Sequence, residues 1–480
     1  MCSYLLDLKH LQYLDLSCND FGSLNIPEFF GSLSTLRYLN LSSAEKILLN
    51  AKDIEWISGL TFLKFLDMTN VNLSKASNWL QHPVTFMVNS MRPGKGLELL
   101  RLRGNKLLGH LPSELGQLKS LSYLSIDGNL FSGQIPISLG RIPSSSYLNI
   151  RENFFNQRQL QLDSSFSTHK IDLASCLLGP QFPAWLQTKK YLESLSLPYA
   201  GISSVIPAWF WTGSYLSVDL SHNQIIGNIP SLHSFDIYLG SNNFTGPLPQ
   251  ISSDVAKLDP SNNLFCESLS PMLCRRTDKE RELTMLKLGN NNLTGHIPSS
   301  MGYLIWLGSL HLLNNRFSGH FPLPLKNCSS LVVLDLSEKE FTGSIPAWMG
   351  NFKAKFIDMV PGDAEITYTP GLMVLILHSN KFNGNAWQFQ QHDQTKKNSS
   401  SPFPFHNEHD IMRANRLSNT GYERSRVRVQ KNSWPPSWHR PLKHKLSGEI
   451  PEELTRLHGL MFLNLSNNHL QRKIPVKIGP

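Results

Sequence analysis

Asp20-Phe21-Gly22 has the residue types of a magnesium-binding triplet in a phosphoryl-transfer site. Such a site also needs a catalytic-loop H-R-D and a Gly-rich loop with its lysine. Neither accompanies the triplet, which directly follows Asn19 in a repeated pattern and reads as filler. His406, Glu408, His409 and Asp410 could ligate a metal, but they lack the H-E-x-x-H spacing that puts two imidazoles on one helix face. They lie in a polar, Pro-bearing stretch and read as a solvated loop. Arg424, Arg426, Arg428 and Lys431 could touch phosphates, yet no nucleic-acid-binding motif accompanies them. The cysteines Cys2, Cys18, Cys176, Cys266, Cys274 and Cys328 are scattered, without zinc-type spacing. Cys266 and Cys274 could close a small loop in an oxidising compartment; unpaired thiols are the alternative. The residues therefore point to no catalytic site, no metal and no cofactor.

Seven N-x-[S/T] sequons remain, at Asn40, Asn72, Asn243, Asn292, Asn327, Asn398 and Asn464, as glycosylation candidates. Some arise from the repeat itself, and their number favours a secreted ancestry. The formal charge of +9 hints at an anionic partner. Its distribution argues otherwise, because residues 385–445 hold eleven Lys/Arg against four Asp/Glu. The rest of the chain is nearly neutral, so nucleic acid is not an expected partner. No run of about 18 apolar residues occurs, and the N-terminus lacks a clean signal-peptide core.

What must position any functional side chain is a repeat. The pattern L-x-x-L-x-x-L-x-L-x-x-N-x-[L/F]-x-G-x-[I/L/F]-P runs cleanly through Leu118, Leu121, Leu124, Ile126, Asn129, Phe131, Gly133, Ile135 and Pro136. Strand anchors fall at Leu14, Leu39, Leu66, Leu100, Leu124, Leu148, Ile171, Leu195, Val218, Ile237, Leu258, Leu286, Leu310, Leu334, Leu375 and Leu463. Such a period builds a solenoid, which grows by stacking and needs no single large core. The fold class expected is α/β: a right-handed leucine-rich-repeat solenoid with a parallel β-sheet on its concave face. In each short strand the leucines point inward and the residue between them faces out. The asparagine amide satisfies backbone groups where the chain leaves the strand. Cys176 takes that slot once; Ala44, Val71, Ala200 and Lys339 also take it, and looser turns are expected there. Glycine then allows a tight turn, and proline fixes an extended exit.

The organisation expected is a solenoid over 1–385, irregular at 44–59, 83–96 and 353–371. A basic, disordered insert follows over 386–445, then terminal repeats over 446–480. Low apolar density and Pro435-Pro436 leave the insert too little burial to offset chain entropy.

The Gly-x-Ile-Pro half-repeat resembles the plant-specific class of leucine-rich repeats. Longer stretches resemble plant receptor-like proteins of the xylanase-receptor and Cf-type resistance families. They are LTFLKFLDMTNVNLSKASNWLQ (60–81), LLGPQFPAWLQT (177–188), LSHNQIIGNIP (220–230), SNNFTGPLPQISS (241–253), LGNNNLTGHIPSSMGYL (288–304) and LSGEIPEEL (446–454). The resemblance implies an ectodomain at the extracellular side of the plasma membrane. It would bind a microbial elicitor or an endogenous peptide and recruit a kinase co-receptor in defence or developmental signalling. Such receptors carry a signal peptide, cysteine-flanked caps, a membrane span and a cytoplasmic tail. None is recognisable here, so the expectation is an incomplete copy, either a truncated remnant or a non-functional gene fragment. The alternative class is a soluble polygalacturonase-inhibitor-like protein, which uses the same repeat without an anchor. Ligand contacts are expected on the concave face, at Arg101, Arg103, Tyr123 and Asp127 and further along at Tyr238, Lys287 and His311.

Overall fold

The computed structural model describes residues 5, 7–22, 24–43, 49–75, 96–141, 146–155, 168–273, 282–338, 340–342, 344–352, 355–357, 367–369, 372–377, 447–448, 450, 452–457, 460–466 and 468–470. The insert 386–445, with the H-x-E-H-D cluster, the basic run and Asn398, lies outside them, as do Ala44, Lys339 and Cys274.

Sixteen short parallel strands form one continuous sheet, each next to the one from the neighbouring repeat. The register is the same throughout: Leu14 faces Leu39, Leu39 faces Leu66, and Leu66 faces Leu100. The alignment continues through Leu124, Leu148, Ile171, Leu195, Val218, Ile237, Leu258, Leu286, Leu310 and Leu334 to Leu375. Every anchor expected from the period thus lies in its strand, at the centre of the three-residue ones and nearer the end of the longer strands that hold Leu148 and Ile171. The last step joins Val374–Ile376 directly to Phe462–Asn464, with Leu375 opposite Leu463.

Period two explains the core. In Tyr123–Ser125 the middle leucine is buried, and Ile126 just after it is buried too. A second row lies behind them, where Phe131, Phe155, Phe244, Phe265 and Phe317 are buried. Neighbouring rings stack along the solenoid, Phe131 on Phe155 at 6.4 Å and Phe244 on Phe265 at 6.1 Å. Opposite the sheet most repeats make one 3₁₀ turn of five residues, such as Ser113–Gln117 and Ser299–Tyr303. The residue before each of these is an extended proline, Pro112 with φ −74 and ψ 144 and Pro298 with φ −71 and ψ 154. The four-residue α-helices Ala208–Trp211 and Ser270–Leu273 replace the 3₁₀ turn in two repeats.

The asparagines form the expected ladder. Asn129 Nδ2 donates to the carbonyls of Leu102, Ile126 and Asp127, while its Oδ1 accepts the amides of Asn105 and Leu107. Asn153, Asn242, Asn263, Asn291 and Asn315 repeat the donation to the previous turn. Cys176 imitates it: its Sγ donates to Ile150 O at 3.5 Å. The turns at Val71 and Ala200 are not looser, since both side chains are buried and the next repeat's asparagine caps the adjoining backbone. Asn105 Oδ1 accepts Val71 N, and Asn223 Oδ1 accepts Ile202 N. The two slots differ in the donor: Asn223 Nδ2 donates to Leu197 O, Leu220 O and Ser221 O, whereas Asn105 Nδ2 is buried without a hydrogen-bond partner. Cys18, Cys176, Cys266 and Cys328 are free thiols. Burial pushes the thiols of Cys176 and Cys328 up to about 12, which keeps them protonated.

Candidate ligand-binding face

The sheet's outer face is built from three columns, one residue before, one between and one after the inward leucines. Stacking in register at strand spacing brings like positions within contact distance. The first column is aromatic at one end. Tyr13 stacks on Tyr38 and Tyr38 on Phe65, each at 4.0 Å between ring centroids and 13° between planes. After Leu99, Tyr123 stacks on Tyr147 at 4.5 Å. Burial raises the Tyr38 phenol to about 12, with Tyr13 and Asp15 adding to it, and burial also raises Tyr147.

The residues expected to bind sit on this face, though not all are equally available. The Arg101 guanidinium lies 4.7 Å from the centroid of the Tyr123 ring and 3.4 Å from Asp67 Oδ2. Burial works against its charge, but Tyr123 and Asp67 outweigh that and hold its pKa above the usual value. Arg103 Nε pairs with Asp127 Oδ2 at 3.3 Å, and Arg151 approaches the same oxygen at 3.9 Å. Asp127 is itself buried and also accepts from Ser125 Oγ. It is a carboxylate that orients two arginines, with almost no surface of its own.

Tyr238, Lys287 and His311 occupy the between-leucine column. Tyr238 lies between Asp219 and Asp259, and His311 lies between Lys287 and Asp335. Lys287 Nζ is 3.8 Å from Asp259, and His311 Nε2 is 2.9 Å from Ser309 Oγ. The structure places them several repeats from the Arg101–Tyr123 cluster, so the expected residues form two groups.

Sequence reasoning passed over part of the face. The aromatic column beyond Tyr123 was visible as repeated Tyr-Leu or Phe-Leu at 13–14, 38–39, 65–66 and 147–148. The Tyr199–His222 stack, 4.4 Å apart and 3° between planes, lies four residues past the anchors Leu195 and Val218, at a slot that takes positive φ in one repeat after another. Burial lowers His222 against the opposing pull of Asp219 and Asp259, and burial raises Asp219.

The sequons divide by position. Asn243, Asn292 and Asn327 are exposed and lie off the concave sheet. Asn40 and Asn464 lie on it. Asn40 Nδ2 donates to Asp15, and its Oδ1 accepts from Ser42. Asn72 is tied to Asn50 and Ser74. Among the described residues no group of three or more His, Cys, Asp and Glu could hold a metal, and no helix is long and apolar enough to cross a membrane.

The leucine-rich-repeat family model matches residues 10–33, 96–118 and 282–304. Receptor-like protein EIX2 of Solanum lycopersicum is 33% identical over 140 residues, which is 28% of this chain and 13% of that protein. Receptor like protein 24 of Arabidopsis thaliana is 26% identical over 60% of this chain and 27% of its own length. The chain thus spans a minor part of the curated relatives it matches. Among solved structures, a TDR receptor superposes with TM-score 0.63 at 21% identity, covering 99% of this chain and 67% of its own. The PEPR1–AtPEP1 structure gives 0.60 at 22%, covering 99% and 68%. At that identity the likeness is one of fold. This chain is a leucine-rich-repeat solenoid whose sequence is similar, over part of its length, to plant receptor-like proteins.

Proposed function

We propose that the chain is a ligand-recognition ectodomain of a plant cell-surface receptor-like protein, acting by protein–protein binding in defence or developmental signalling. The observation that carries this is the column of stacked aromatic rings joined to Arg101 on an uninterrupted sheet. Aromatic and Arg side chains on a rigid platform bury large area with modest entropy loss, which makes them the usual anchors of interfaces. The pairs with Asp67 and Asp127 prepay the ordering of Arg101 and Arg103. Tyr238, Lys287 and His311 form a second contact zone further along. The ligand is a microbial elicitor protein or an endogenous peptide, with a kinase co-receptor as second partner and the extracellular side of the plasma membrane as the place. No step of chemistry is assigned to the chain. The soluble polygalacturonase-inhibitor-like reading uses the same face, and no observation favours it.

The test is surface plasmon resonance of the secreted full chain against extracellular elicitor proteins, using concave and convex variants. Arg101→Ala and Tyr123→Ala should each weaken a detected interaction by more than about 1 kcal/mol, roughly fivefold in Kd. If both are silent while His110→Ala on the convex side abolishes binding, the concave-face reading is wrong.

A further inference from the structure

One residue past the last outward column, four beyond each anchor, the chain turns from the main sheet toward its flank. There many repeats add a few residues to a flank sheet, as in Leu130–Gly133 and Asn243–Pro247. In six consecutive repeats the turning residues are, in order, Tyr199, His222, Ser241, Asn262, Asn290 and Asn314. All six have φ between 48 and 60, so their side chains leave the backbone in one direction. They form one unbroken row. Tyr199 stacks on His222, and His222 N donates to the carbonyl of Gly240, next to Ser241. Ser241 N donates to Ser261 O, next to Asn262. Asn290 Nδ2 donates to Asn262 Oδ1 at 2.7 Å, and Asn314 Nδ2 to Asn290 Oδ1 at 3.0 Å. Tyr199, His222, Asn262 and Asn314 are exposed, while Ser241 and Asn290 are half-buried. Burial lowers the His222 pKa, so at neutral pH the row carries no charge. The same slot is acidic at Glu152, two repeats before Tyr199, and at Glu338, one repeat after Asn314.

We infer that this row binds an uncharged, β-1,4-linked polysaccharide lying along the solenoid, one sugar to each repeat. Chemistry selects an uncharged polyol. Amide, hydroxyl, phenol and neutral imidazole each donate and accept, which matches a sugar hydroxyl, itself donor and acceptor. A charged polymer would lose hydration against groups that bring no counter-charge. The carboxylates of Asp219 and Asp259, further in on the sheet, are held by Ser221 and Ser261. On the flank side, two residues beyond the row, stand Gly201, Gln224, Asn243, Leu264 and Asn292, all uncharged. Spacing selects the linkage. Strand pairing sets the period of the row at about 4.8 Å, so six repeats span about 24 Å. An extended peptide repeats its same-side groups every ~6.7 Å and falls out of step within two repeats. A β-1,4-linked pyranose chain is straight and advances by close to one strand spacing per sugar, so its hydroxyls keep step with the row. The inference uses no residue assigned to the protein ligand and stands apart from that reading.

The test is isothermal titration calorimetry of the secreted full chain. Any glycans on Asn243 and Asn292 are first trimmed to one sugar, so that neither lies on the row. The probes are cellohexaose, xylohexaose and mannohexaose, all neutral and β-1,4-linked. At least one should bind saturably, and about tenfold more tightly than its own trimer, because three sugars meet half the row. Maltohexaose, which is α-linked and coiled, and the charged hexagalacturonate should bind more weakly. Asn262→Gly, Asn290→Gly and Asn314→Gly together should weaken binding by about tenfold or more. The circular dichroism spectrum should not change, since Gly104 and Gly128 already hold this slot with φ of 69 and 64. A chain that ignores all three hexasaccharides, binds trimer and hexamer alike, prefers hexagalacturonate, or binds as before after the three substitutions would overturn the inference.

Discussion

Asparagine at one slot recurrently ties the backbone of one repeat to the next among the described residues. Asn129 serves five backbone groups in two neighbouring repeats. Leaving buried donors and acceptors unpaired costs about 1–3 kcal/mol each, so Asn129→Ala should be severely destabilising. Asn105 is the useful contrast, since its Nδ2 has no hydrogen-bond partner beside Val71. Asn105→Ala should cost less than Asn129→Ala. Hydrogen exchange at Leu107 checks the comparison, because its amide depends on Asn129 alone. A larger effect from Asn105→Ala would refute the ladder account. At the same scale, His222 should titrate below 6.5, since burial disfavours its cation. In the linkage sense, a depressed base adds stability above its unfolded pKa, and that stability is lost as pH falls through the folded one. The Asp219 charge pulls the other way, so Asp219→Asn should move the His222 midpoint lower still in an NMR titration. An upward move would contradict the geometry.

Between neighbouring elements, close approach of turns decides what is tolerated. The 3₁₀ turns of successive repeats pack backbone to backbone. A Cβ on Gly116 would lie 1.9 Å from Ser138 O, and one on Gly59 would lie 2.0 Å from Gly31 O. These contacts are with backbone, which cannot swing aside as a side chain does. Gly116→Ala must therefore separate two turns, at a cost of roughly 1–3 kcal/mol, the range for overpacked sites. Gly109→Ala meets nothing within 4 Å and pays only for its φ of +96. Urea melts of the two variants should separate these causes, with Gly116→Ala the less stable. Equal midpoints would show that the turns can yield.

Over the whole solenoid, each repeat touches only its neighbours, so stability should be local. Phe265 is buried and stacks on Phe244. Phe265→Ala should cost about 3–5 kcal/mol in its own neighbourhood. Exchange should quicken in Lys257–Asp259 and Met285–Lys287, while Leu99–Arg101 keeps its protection. Uniform acceleration from end to end would mean one cooperative unit and would defeat the nearest-neighbour view.

Sequence by itself determined the solenoid, because its signals are local and repeated. Leucines two apart must share one face of a strand, and an asparagine three after the second one must cap the turn. Leu14 through Leu463 could therefore be placed on one sheet before any coordinate was known. The outward columns were legible too, which is why Arg101 and Tyr123 were found together. Availability was not legible. Asp127 occupies an outward slot yet is buried, because Arg103 and Arg151 come from strands on either side and close over its carboxylate. The neighbours along the flank were hidden for a related reason. The flank register runs diagonally, with Phe154 beside Ser132 and Ile226 beside Asn243, so residues from unlike repeat positions become neighbours. Period alone says which way a side chain points. Only the stacked tertiary structure decides what stands next to it.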